Sequence, residues 1–140
     1  MQSKCSHKSA AAAYASERIA LIAGGEPHMR RFIQAGLERR GYFVEETEID
    51  GAEARVASHP SPAFIVLDLD SRSADADTLR ALSSVTNAPI IVLSSEIDGA
   101  KNPHLKIGAA DHFVKPIGIS EFLARCEAAS HRQHEDVGQS

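Results

Sequence analysis

The chain has 140 residues and a formal net charge of −4, with 43% hydrophobic and 24% charged residues. That is enough for one domain with one core, and the mild acidity argues against nucleic acid or an anionic membrane surface as a partner of this chain. No apolar run reaches the roughly 20 residues of a bilayer span, and two distant cysteines, Cys5 and Cys126, in a chain without a signal peptide read as free thiols of a cytoplasmic protein.

Residues 1–17 are rich in Ser, Ala and Lys and read as a flexible leader. Ile19 to Ala23 is a buried-type apolar run, ended by Gly24-Gly25. Glu26-Pro27 opens a helix, with Pro27 suited to its first position. Met29, Phe32, Ile33, Gly36 and Leu37 give that helix one core face, while Arg30, Arg31, Glu38, Arg39 and Arg40 fall on the wet side and Gly41 stops it. Tyr42-Phe43-Val44 is a short strand leading to Glu45 and Glu46. Asp50-Gly51 starts a weak helix with Ala52, Val56 and Ala57 inward, closed by His59-Pro60.

The stretch from Phe64 to Asp70 follows, bounded by Pro60 and Pro62 before it and by polar Ser71-Arg72-Ser73 after it. Its Ile-Val-Leu run predicts a strand buried on both faces, ending in the carboxylate of Asp68. Asp75 or Asp77 can cap a helix carrying Leu79 and Leu82. Pro89 to Leu93 predicts a fourth strand ending in Ser94-Ser95, and Asn102-Pro103 a stubby helix through Ile107, stopped by Gly108. His112-Phe113-Val114 is a very short fifth strand ending at Lys115-Pro116. Ile119, Phe122, Leu123 and Cys126 form the inward stripe of a last helix. Residues 131–140 read as a frayed polar tail, with His131 and His134 solvated rather than metal-bound.

Five strands alternating with five helical segments predict an α/β fold: parallel strands, right-handed crossovers and helices on both faces of the sheet. In that layout the carboxyl ends of the strands share one edge, where Gly24-Gly25, Asp68, Ser94 and Lys115 should converge. Asp68 taken alone is equally well read as a residue that turns the chain out of its strand. An acid, a hydroxyl and a lysine at one edge suit a phosphoryl group, which they would accept, hydrogen-bond and neutralise in turn.

Glu26-Pro27 with Arg30-Arg31-Phe32, Leu67-Asp68-Leu69, Pro89 through Ser94, Gly108-Ala109-Ala110-Asp111 and Lys115-Pro116 form an ordered set. Through it, residues 18 to about 130 resemble the receiver domain of bacterial two-component response regulators, most of all the OmpR/PhoB subfamily. The resemblance implies a flavodoxin-like, CheY-like three-layer α/β/α sandwich with five parallel strands in the order 2-1-3-4-5. It places Asp68 at the phospho-accepting aspartate, Ser94 at the switch hydroxyl, His112 at the switch aromatic and Lys115 at the lysine that pairs with the phosphoryl group. It also matches the carbonyl of Asp70 to a backbone metal ligand. The chain is expected to be a signalling protein and not an enzyme, with a histidine kinase or another signalling protein as partner.

The same resemblance exposes a departure. Receivers carry two adjacent acids after the first strand, which hold Mg²⁺, and here those positions are Gly24 and Gly25. Asp68 against Lys115 is then a roughly neutral pair, and one carboxylate is a poor Mg²⁺ site. The expectation is no cofactor beyond weak Mg²⁺ and weak or lost phosphorylation, unless Glu26 or the Asp70 side chain reaches the metal or the Gly24-Gly25 amides form an anion nest. Two alternatives stand beside it: a working phospho-receiver with a rebuilt metal site, and a flavodoxin-like protein binding an anion or nucleotide. The subfamily pairs through the face of its fourth helix, fifth strand and fifth helix, which here points to Lys101, Asp111, Glu121 and Arg125 as homodimer-face candidates. The chain ends without the subfamily's DNA-binding domain, which fits either a stand-alone receiver or a fragment of a longer transcription regulator.

Overall fold

A computed structural model describes residues 18–58, 62–70, 76–95 and 108–139 of the chain. These form β1 (Ile19–Ala23), α1 (Pro27–Arg39), β2 (Phe43–Thr47), α2 (Ile49–Ser58), β3 (Phe64–Asp68), α3 (Ala76–Val85), β4 (Ile90–Ser94), β5 (Asp111–Val114) and α4 (Ile119–Gln139). The strands make one parallel sheet in the order β2-β1-β3-β4-β5, the doubly wound arrangement that the βα alternation and the resemblance together imply.

Residue parity along the strands divides the core in two. Ala20, Ile22, Phe64, Val66, Ile91 and Leu93 face Ile33 and Leu37 of α1 and Phe122, Leu123 and Cys126 of α4. Leu21, Ala23, Ile65, Leu67, Ile90 and Val92 face Ala52 and Val56 of α2 and Leu79 and Leu82 of α3. β3 and β4 are buried along their whole length, which is why they read as unbroken apolar runs rather than alternating ones. Gly36 lets α1 approach α4, since a Cβ there would lie 3.0 Å from the Ile119 side chain. The Cys126 thiol is buried in this layer, and burial pushes its pKa far up, so it acts as a small apolar side chain.

Several local expectations are corrected. Phe32 is 46% exposed, because Gly36 and Leu37 sit under the sheet and α4 while Phe32 lies at the margin of that stripe. Ala57 is exposed as well, leaving Ala52 and Val56 as the contact residues of α2. β2 starts after Tyr42 and continues through Glu45 and Glu46 to Thr47, an edge strand whose partly wet faces admit acids. Asp77 lies inside the first turn of α3 and is not its cap, whereas Asp75 is outside the described residues. α4 runs on to Gln139 where a frayed tail was expected, carried by the good helix formers Arg132, Gln133 and Glu135, with Gly138 falling only at its very end. The leader with Cys5, the bounding residues His59 and Pro60, and the Asn102-to-Ile107 segment with Lys101 lie outside the described residues. Among the described residues, no helix is long and apolar enough to cross a membrane.

Candidate functional site: a charged crevice at the carboxyl edge of the sheet

The strand register determines which side chains meet. Asp68 is paired with Leu93 across β3 and β4, and Ser94 with Val114 across β4 and β5. Continuing those registers past the strand ends brings Asp70, Ser95 and Lys115 into one transverse rank. The backbone is tied there by hydrogen bonds from Leu69 N–H to the Leu93 carbonyl (2.8 Å) and from Lys115 N–H to the Ser94 carbonyl (2.9 Å). The Lys115–Pro116 peptide is cis.

Asp68 closes β3 with its side chain 2% exposed. Its Oδ1 accepts the Asp70 N–H at 2.9 Å, and its Oδ2 accepts Lys115 Nζ at 2.8 Å. The same Lys115 Nζ lies 3.0 Å from the Asp70 carboxylate. Asp70 Oδ1 in turn accepts the Ser95 N–H at 3.0 Å and the Ser95 hydroxyl at 3.1 Å. Burial works against the charged form of Asp70, but the Ser95 N–H and the Lys115 ammonium outweigh it and hold the carboxyl below its ordinary pKa. Burial likewise opposes the Lys115 charge, and the hydrogen bonds to Asp68 and Asp70 reverse that effect and raise its pKa.

Thus the structure brings Asp68, Ser94 and Lys115 to one edge as the sequence implied, with Ser94 and His112 both buried. It corrects the charge balance. Asp70 contributes its side chain as well as its backbone, so one lysine faces two carboxylates rather than one. Ser95 is a site residue that the sequence reading does not single out, because only the register of β3 against β4 sets it opposite Asp70. Glu26 does not enter the crevice, because its carboxylate caps α1 by accepting the His28 N–H at 2.7 Å. Arg30 is not simply a wet-face residue. Its stem flanks Gly25, and its head lies 3.7 Å from Glu46 and 3.9 Å from Glu48 at the end of β2.

Gly24 and Gly25 sit beside this rank at φ +80° and +94°. A Cβ built on Gly25 would stand 3.0 Å from Asp68 Oδ2, so glycine is what allows that residue to lie against the carboxylate in this backbone conformation. The dimer-face candidates are placed elsewhere, on β5 and α4. Arg125 donates to both oxygens of Asp111 (2.9 and 2.6 Å) and to Glu121 (2.9 Å), with its guanidinium 4.2 Å from the centre of the Phe113 ring.

Comparison with known proteins adds to this geometry. The chain is 35% identical over 116 residues to the transcriptional regulatory protein KdpE of Mycobacterium tuberculosis, covering 81% of this chain and 51% of that one. It is 34% identical over 117 residues to the response regulator ArlR of Staphylococcus aureus, covering 81% and 52%. The chain is thus a homologue of response regulators of the OmpR/PhoB type, with the fold of receiver domains. No family model matches it. The fold agrees with that of the beryllofluoride-activated NtrC4 receiver domain dimer, at a TM-score of 0.76 and 21% identity over 83% of this chain and 98% of that one. This receiver spans about half the length of the curated relatives it matches.

Proposed function

We propose that this receiver is a signalling module in which phosphorylation at Asp68 is weak or lost, and that it acts in the cytoplasm through protein–protein contacts. The observation that carries this reading is Gly24-Gly25 at the two positions where the resemblance puts the metal-binding acids, with Gly25 lying directly against Asp68. Mg²⁺ asks for octahedral oxygen ligands at about 2.0–2.1 Å and loses water reluctantly. The crevice offers two carboxylates, and the Lys115 ammonium already lies 2.8 and 3.0 Å from them. That donor set suits an internal ion pair better than a divalent cation. Without the cation, phosphoryl transfer lacks its main charge clamp.

The relatives named above are a transcriptional regulatory protein and a response regulator. By extension, the partner proposed here is a histidine kinase or another component of a two-component system. Pairing of two copies through β5 and α4 is part of the proposal, with Asp111, Glu121 and Arg125 at the seam. The turn of the Asp70 carboxylate into the crevice favours a second reading, a working receiver with a rebuilt metal site. A ¹⁹F NMR titration with beryllofluoride separates the two. The proposal expects no bound fluoride signal at millimolar Mg²⁺, while a Mg²⁺-dependent signal abolished in Asp68→Ala would establish the second reading.

A further inference from the structure

Lys115 Nζ, the Ser95 N–H and the Ser95 hydroxyl converge on one point from two strand ends. One positive charge and two neutral donors around a single spot make a seat for an oxyanion. In this molecule the seat holds a side chain of the same chain. Asp70 Oδ1 takes both Ser95 donors and Asp70 Oδ2 takes the ammonium. We propose that the Asp70 carboxylate is a built-in ligand, which fills this seat from within and ties the turn after β3 to the end of β4 with no phosphoryl group, and that the vacated seat accepts small oxyanions such as carboxylate or phosphate.

The architecture around the seat supports a fixed purpose rather than a chance contact. Asp70 is itself positioned by Asp68, which accepts its N–H at 2.9 Å. Lys115 is positioned by β4, whose Ser94 carbonyl accepts its N–H. The two carboxylates and the ammonium therefore cross-brace the ends of β3, β4 and β5. A tether of two residues from a buried strand end places the anion at high effective concentration, so a free anion competes poorly while Asp70 is present.

This inference deepens the reading above, because a seat already filled leaves less room for a phosphoryl group. Its test needs neither Mg²⁺ nor a phosphodonor, so either can fail alone. Amide exchange at Ser95 is followed by NMR in ¹⁵N-labelled wild type, Asp70→Ala and Asp70→Asn. Loss of a hydrogen bond to a charged acceptor should speed Ser95 exchange about tenfold or more in Asp70→Ala. Asp70→Asn, which keeps the shape and loses the charge, should fall between the other two. Acetate or inorganic phosphate, added against chloride at equal ionic strength, should restore slow exchange in Asp70→Ala and leave the wild type unchanged. Unchanged Ser95 exchange in both variants overturns the proposal, and so does a faster exchange that neither anion slows.

Discussion

Two clusters in this receiver share one charge pattern, a single cation held by two acids. In the crevice, Lys115 sits between Asp68 and Asp70, and Asp68 is only 2% exposed. On the face of β5 and α4, Arg125 sits between Asp111 and Glu121, with a side chain 42% exposed and Glu121 at 69%. The arithmetic is the same and the consequences differ, because water reaches Arg125 and Glu121 and, to a smaller extent, Asp111 at 18% exposed, but hardly reaches Asp68. A buried carboxylate that loses its partner keeps an uncompensated charge, whereas exposed ions are re-solvated.

Substitutions can break or sharpen this contrast. The largest effect is expected from Lys115→Ala, which strands Asp68 and should cost about 3 kcal/mol in urea unfolding. Gly25→Asp comes next. It places a side chain at φ +94° with its Cβ 3.0 Å from Asp68 Oδ2 and adds a third acid, so a loss of about 2 kcal/mol is expected. Millimolar Mg²⁺ should return part of that loss in Gly25→Asp, and it should do nothing measurable for the wild type, as thermal melts with and without the cation would show. Arg125→Ala should cost no more than about 1 kcal/mol in the same urea assay, being a screened surface network with one ring contact. The charge-reversed Arg125→Glu is the sharper probe of pairing through this face: sedimentation should show a lighter species than wild type, and an unchanged mass would discard the face.

The smallest effect lies in the pH profile. Asp70 has a pKa below its ordinary 3.8, so its share of stability is complete above that value and fades as pH falls through the lower folded-state value. Lys115 is raised above 10.5, so its share is complete below 10.5 and fades as pH climbs through the higher value. Asp70→Asn should therefore flatten the acid limb of a plot of urea midpoint against pH, and the alkaline limb should persist because Lys115 keeps Asp68.

Much of this arrangement is legible in the residues themselves. Unbroken apolar runs flanked by breakers marked β1, β3 and β4 to within a residue, because strands covered on both faces have little latitude in composition. Pro27 and Glu26 marked the start of α1 for the same kind of local reason. The misses were tertiary. Phe32 carries the right spacing for the core, yet only the packing of α1 against α4 decides where the covered stripe ends. The site was half legible in the same sense. Strand ends indicated that Asp68, Ser94 and Lys115 would meet, but the direction of the Asp70 side chain and its clasp by Ser95 depend on the register of β3 against β4, which no residue pattern encodes.

The central claim is that this crevice, lacking the two acids beside β1, does not support ordinary Mg²⁺-dependent phosphoryl transfer to Asp68. Intact-protein mass spectrometry after incubation with a small-molecule phosphodonor and excess Mg²⁺ tests it most directly. The account predicts that the protein keeps its unmodified mass. Ready, Mg²⁺-dependent appearance of a species heavier by one phosphoryl group, absent in Asp68→Ala, would contradict it.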